Sequence, residues 1–173
     1  MLLRLAGALA VITGCVGLGF YHAAKENFRT GELLEFKKAL FILASEIGYT
    51  RSPLAIACEN IARRTTAVVG EMFANFSSAL ASSEGETAYQ LWINAMDAVR
   101  QKSFMATEDW DIIEGFGKTL GYLDKTMQQN AIEYAITYIN DKTITLKTQG
   151  AKNKRMYQSL GIIGGLLVTV VLW

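Results

Sequence analysis

From Leu33 to Leu120 the apolar residues recur at steps of three and four, the period of amphipathic helices and not of strands. Leu33, Phe36, Leu40, Leu43 and Ile47 stripe a first helix over about 23–47, with Gly48 as its expected C′ residue. Ser52-Pro53 predicts the next start, Ser52 as N-cap and Pro53 as first helical residue, and Leu54, Ala57, Ile61 and Ala62 form that helix's apolar face. Val69, Phe73, Phe76 and Leu80 mark a third helix, broken at Ser82-Ser83-Glu84-Gly85. Ala88, Trp92, Ala95 and Val99 mark a fourth. Thr107 is expected to cap a fifth, with Ile113, Phe116 and Leu120 inside and Gly121 closing it. Its first turn carries Glu108, Asp109 and Asp111, which suit the helix dipole and are expected to be solvated. Asp124 is expected to cap a long last helix reaching toward Arg155, with Met127, Ala131, Tyr134 and Tyr138 on its inner stripe. No stretch reads as a strand, and the short connections predict an all-α fold, an antiparallel bundle of about six helices.

Outside this pattern lie two charge-free runs, Leu5–Tyr21 (LAGALAVITGCVGLGFY) and Leu160–Trp173 (LGIIGGLLVTVVLW). Apart from Arg4, every charged residue falls between them. At about 1.5 Å per residue they span roughly 26 and 21 Å, short of a 30 Å hydrocarbon core but within the tolerated range. The expected organisation is therefore an N-terminal transmembrane helix over 1–22, a helical domain over 23–157 and a C-terminal transmembrane helix over 158–173. Lys25, Arg29, Lys37 and Lys38 follow the first run; Lys142, Lys147, Lys152, Lys154 and Arg155 precede the second. Basic flanks stay in the cytoplasm, which predicts a cytoplasmic central domain. Ala6, Ala10 and Gly14 in one run, and Gly161, Gly165 and Thr169 in the other, offer small-residue faces for packing within the bilayer. Ile12-Thr13-Gly14-Cys15 also fits a bacterial lipobox, so the alternative is an exported lipoprotein anchored through Cys15. The apolar run continues past Cys15 through Val16, Leu18 and Phe20, and the second anchor would be redundant; both favour the uncleaved helix.

Composition narrows the chemistry. With 17 Lys+Arg against 16 Asp+Glu the chain is close to neutral and carries no basic stripe, so nucleic acid is not an expected partner. The two cysteines, Cys15 and Cys58, have no paired spacing; Cys58 is expected to be a buried free thiol. The single histidine, His22, borders the first apolar run with no acid or nucleophile beside it. There is no P-loop, HExxH, nucleophile elbow or CxxC, and no strand precedes Gly115-Phe116-Gly117. No catalysis, cofactor or metal is expected.

Several blocks in order carry a resemblance: Leu33-x-x-Phe36-x-x-Ala39-Leu40, Glu46-Ile47-x-Tyr49, Ser52-Pro53-Leu54, Ile61-Ala62, Phe116-Gly117-x-x-Leu120-Gly121-x-x-Asp124 with Gln128 or Gln129, and Asn153-Lys154-x-x-Tyr157-x-x-Leu160-Gly161-x-x-Gly164-Gly165. Together the sequence resembles the stage III sporulation protein AB family of endospore-forming bacteria, which is similar to the cytoplasmic domains of type II secretion and type IV pilus platform proteins. The resemblance implies a non-enzymatic part of the channel joining mother cell and forespore, placed in the mother-cell membrane around the forespore. It implies as partners the channel's secretion-type ATPase and its other membrane subunits, beside the lipid bilayer, and leaves a homo-oligomer open. Polar residues beside the motif turns, Glu46, Tyr49, Arg51, Lys118 and Asp124, are the candidate partner contacts.

Overall fold

The structure is a computed structural model. It describes the backbone except at Met1, Arg51, Ser83, Glu84, 121–124 and Trp173, and the side chains of residues 24–48, 52–66, 68–82, 85–120 and 126–150. Six α-helices account for the described chain: α1 (Leu2–Ser45), α2 (Leu54–Arg64), α3 (Ala67–Ser82), α4 (Ala88–Arg100), α5 (Thr107–Gly117) and α6 (Lys125–Leu172), with no strand among the described residues. The all-α expectation and the order of its helices hold.

Contacts divide the chain into two units. One is residues Arg29–Thr143, and the other is Met1–Phe28 together with Ile144–Trp173. In the second unit the two helical arms approach each other near Glu26 and Gly150, where a Cβ on the glycine would lie 3.6 Å from Glu26 Oε2. Among the described residues no helix is long and apolar enough to cross a membrane. The expected transmembrane segments, with Ala6, Ala10, Gly14, Gly161, Gly165 and Thr169, lie outside the described side chains.

The 29–143 unit is organised around Trp92. Its ring meets Phe73, Phe76 and Phe116 edge-on, with centroids 5.5, 5.0 and 5.6 Å away. These T-shaped pairs are the geometry the ring quadrupoles favour. The indole N–H donates to the Ile113 carbonyl at 3.0 Å, so the polar atom of this fully buried side chain is satisfied. Gly117 makes the close approach of α5 to α4 possible, since a Cβ there would fall 2.1 Å from Trp92 Cδ1. Gly70 does the same at the α2–α3 turn, where a Cβ would meet the Thr65 carbonyl oxygen at 2.8 Å. The stripes expected on the first five helices supply this core: Leu33, Phe36, Leu40, Leu43, Ala57, Ile61, Val69, Phe73, Phe76, Ala95, Val99, Ile113 and Leu120 are all buried. Cys58 is buried as a free thiol, and burial pushes its pKa up to about 12.

Local signals differ from expectation at four places. Gly48 does not end α1 as a left-handed residue; a π-helical turn, Glu46–Thr50, carries the chain on, and Gly85 (φ 95°) is the only glycine with positive φ among the described residues. Ser52, expected as N-cap, leaves that position to Pro53 (φ −52°, ψ 142°), and its hydroxyl donates instead to Glu46 Oε2 at 3.0 Å. The helix can still start there because the Pro53 carbonyl accepts from Ala57 N at 3.1 Å. Thr107 is the first residue of α5, not its cap; Ala106 is the N-cap. The inner face of α6 is the largest correction. Ile132, Ala135, Ile139, Thr143 and Leu146 are buried, whereas Met127 and Tyr134 of the expected stripe are 52% and 67% exposed. The sequence offers two apolar stripes there, and the aliphatic one wins because a tyrosine can keep its hydroxyl in water.

Candidate functional site

Where α1, α5 and α6 meet, the structure builds a cluster of five polar side chains. Asp109, in the first turn of α5, is fully buried. Arg29 of α1 grips it through both carboxylate oxygens, Nε to Oδ2 at 2.7 Å and Nη2 to Oδ1 at 3.0 Å. The Ala106 backbone N–H donates to Oδ2 at 2.9 Å, and the Tyr138 hydroxyl of α6 donates to Oδ1 at 3.3 Å. Four donors therefore surround one carboxylate, which is what a buried charge requires. Arg29 Nη2 also reaches Glu108 Oε1 at 2.8 Å, and Lys142 of α6 binds the same oxygen at 2.6 Å.

The electrostatics follow from these partners. The hydrogen bond to Asp109 raises the Arg29 pKa, outweighing the burial that opposes the charge. Glu108 is held below the ordinary carboxylate range, first by the Lys142 hydrogen bond and then by that of Arg29. Tyr138 is pushed up to about 12, first by burial and then by the negative charges of Asp109 and Glu108. These shifts keep Arg29 and Glu108 charged and Tyr138 protonated near neutral pH. Such a cluster joins α1, α5 and α6. Among the described residues no group of histidine, cysteine or acidic side chains could hold a metal ion.

The expectation of a solvated acidic turn is thus corrected: Glu108 is exposed, but Asp109 is a core residue, because its position faces α1 and Arg29 arrives there to neutralise it. Arg29, Tyr138 and Lys142 were not among the candidate residues. A signal for the central pair was present in the spacing. Asp109 stands four residues before Ile113 in the Ile113-Phe116-Leu120 stripe, and Arg29 stands four before Leu33 in the Leu33-Phe36-Leu40 stripe. Opposite charges in core register on two helices call for each other.

Of the candidate partner contacts, Glu46 and Lys118 have described side chains; Tyr49, Arg51 and Asp124 lie outside them. Glu46 is half-buried and ties the end of α1 to the start of α2, accepting from Ser52 and, at 3.1 Å, from Asn60 Nδ2. Lys118 is exposed, 3.7 Å from Glu114 Oε1 and 5.9 Å from the centre of the Tyr89 ring. Glu114 in turn accepts from the Tyr89 hydroxyl at 2.9 Å, which raises the phenol's pKa. The structure assigns these two candidates to separate local networks. An open groove of about 600 Å³ between α2 and α3 is lined by Ala62, Gly70, Ala74 and Ser77, and its charged rim is paired internally, Glu59 with Arg63 and Glu71 with Lys102, each at 2.6 Å.

An all-helical unit is also what comparison with known proteins finds. The model of the stage III sporulation protein AB family matches residues 4–173. This chain belongs to that family. Stage III sporulation protein AB of Bacillus subtilis (strain 168) is 29% identical over 171 residues, covering 99% of each chain. A solved structure of stage III sporulation protein AB superposes with a TM-score of 0.67 at 25% identity, covering 72% of this chain and 97% of that one. Membership places the chain among sporulation proteins, in a family of structural components with no known enzymatic activity.

Proposed function

We propose that the chain is a non-enzymatic membrane component of the channel between mother cell and forespore, coupling a cytoplasmic secretion-type ATPase to the membrane assembly. In this reading Leu5–Tyr21 and Leu160–Trp173 are transmembrane helices and the helical domain lies in the mother-cell cytoplasm. The observation that carries it is the family match over residues 4–173, which takes in both charge-free ends as well as the bundle. Two physical features support it. The basic residues lie on the inner flanks of both apolar runs, as cytoplasmic flanks do. The Arg29–Asp109 and Lys142–Glu108 pairs brace α1, α5 and α6 against one another within the 29–143 unit, as a relay of ATPase movement requires of the bundle.

The test combines topology with coupling. Intact mass of the membrane-extracted protein is expected to match the full chain, and the central domain is expected to resist external protease in spheroplasts. A diacylglyceryl mass at Cys15 with an accessible domain would establish the lipoprotein instead. Co-purification with the channel ATPase and loss of sporulation with an ATPase variant that cannot hydrolyse ATP are both expected. Full sporulation with that variant would refute the coupling role.

A further inference from the structure

Residues Met1–Phe28 and Ile144–Trp173 form one unit, and Gly150 faces Glu26 within it, a Cβ on the glycine lying 3.6 Å from Glu26 Oε2. From that contact α1 runs back to Leu2 and α6 runs on to Leu172, so the two helices leave it together in opposite chain directions. Positions on one face of a helix recur at steps of four and three, and the rise per residue is the same in both. Counting back from Glu26 and forward from Gly150 in these steps therefore gives residues that stand level. His22 with Lys154 comes first, outside the charge-free runs. Inside the runs or at their edge follow Gly19 with Tyr157, Cys15 with Gly161, Ile12 with Gly164 and Ala8 with Val168. At each of these four levels at least one residue is glycine or alanine. Only the outermost level, Leu5 with Val171, sets two large residues together.

We propose that the two apolar runs pack on each other as an antiparallel pair within the membrane, with position 15 level with position 161. The proposal rests on the membrane reading above and names the partner of each span. Lipid tails are as apolar as leucine, so no hydrophobic effect draws two spans together there. Close packing does, and it needs small residues where backbones approach. Large residues on one helix level with small ones on the other let the two faces interlock. Length adds a second reason, since a span shorter than the hydrocarbon core is accommodated by association with another. The stripe of Ala6, Ala10 and Gly14 falls off this face of α1 by the same count. Small residues alone therefore do not select the face; the contact of Gly150 with Glu26 does. The pairing also gives Cys15 a place in the uncleaved chain, opposite a residue with no side chain to displace it.

The native thiol is the probe, because a disulfide needs Cα atoms within about 7 Å of each other. The full chain carrying Gly161→Cys is oxidised with copper phenanthroline in isolated membranes, and its intact mass is measured before and after. A disulfide from Cys15 to position 161 within one chain is expected, seen as the full-length mass less the two thiol hydrogens and as one linked pair of peptides. Ile163→Cys, on the opposite side of α6 by the same count, is expected to stay reduced. Cys15→Ser with Ile12→Cys and Gly164→Cys is expected to link as the first variant does, with Gly161 left native. Cys58 is unchanged throughout and buried in the 29–143 unit. A full-length chain that links in neither variant, links only to other chains, or links equally from position 163 overturns the pairing and leaves the membrane reading standing. A mass shortened or acylated at Cys15 before oxidation overturns both.

Discussion

Two buried clusters hold the 29–143 unit, and they do it by opposite means. The Trp92 cluster is apolar, drawn from α3, α4 and α5, and its one polar atom is satisfied by the Ile113 carbonyl. The Arg29–Asp109 cluster is charged; it joins α1 to α5 across 80 residues of sequence and both to α6 through Tyr138 and Lys142. Apolar surface gains by leaving water whatever it touches, so the first cluster tolerates any neighbour of the right shape. A buried carboxylate gains nothing until every partner is in place, so the second specifies which helices meet and at what level. The difference shows also between the two buried indoles. Trp92 has an acceptor, whereas the Trp110 Nε1, next to the charged cluster, is buried with no hydrogen-bond partner among the described residues.

This contrast can be broken experimentally. Trp92→Ala is expected to have the largest effect, about 4 kcal/mol of unfolding free energy, because a fully buried indole and three ring contacts go at once. Urea unfolding followed by circular dichroism measures it. Asp109→Ala comes next, at about 3 kcal/mol, since Arg29 is left with only exposed Glu108 to oppose its charge. The replacement Arg29→Met with Asp109→Leu is then the sharper measurement: the double variant should recover to within about 1 kcal/mol of wild type, as paired buried charges often do when both are made apolar. Equal and additive losses from the two single changes would mean the pair is not one unit. Gly117→Ala should cost about 2 kcal/mol by forcing Trp92 aside, seen as a change in near-ultraviolet dichroism at constant helix content.

The smallest effect is expected from Glu108→Gln, and its sign is fixed by pH. The folded-state pKa of Glu108 is lowered, so its contribution is full above the ordinary unfolded value of about 4.3 and is lost as pH falls through the folded value. The wild-type stability curve should fall more steeply than that of the variant below about pH 4.5. With Glu108 57% exposed and screened, the difference at neutral pH should stay below about 1 kcal/mol and shrink in salt.

Legibility in the sequence divides along the same line as the two clusters. The helices and their buried stripes from Leu33 to Leu120 follow from apolar period, because burial of one face is a property of the helix alone. Where the period allowed two answers, at Met127, Ala131, Tyr134 and Tyr138 against Ile132, Ala135 and Ile139, only packing could choose. Caps were misplaced by one residue at Ser52 and Thr107, since a hydroxyl with a better-placed partner abandons the cap, as Ser52 does for Glu46. The charged cluster was half visible. Arg29 and Asp109 stand in core register, but that they meet each other depends on which helix lies beside which.

By itself, then, the chain determined its helical class, the order of its elements, most of its core, the absence of recognisable catalytic motifs and a family resemblance that comparison confirms. These are local or additive properties, read from spacing and residue type. The tertiary structure alone decided that an acid in a helix's first turn is a buried anchor, that α6 turns Tyr134 outward, and that Gly117 is the price of bringing Trp92 against α5. Each depends on what a second helix places opposite, and no periodicity along one chain segment contains that.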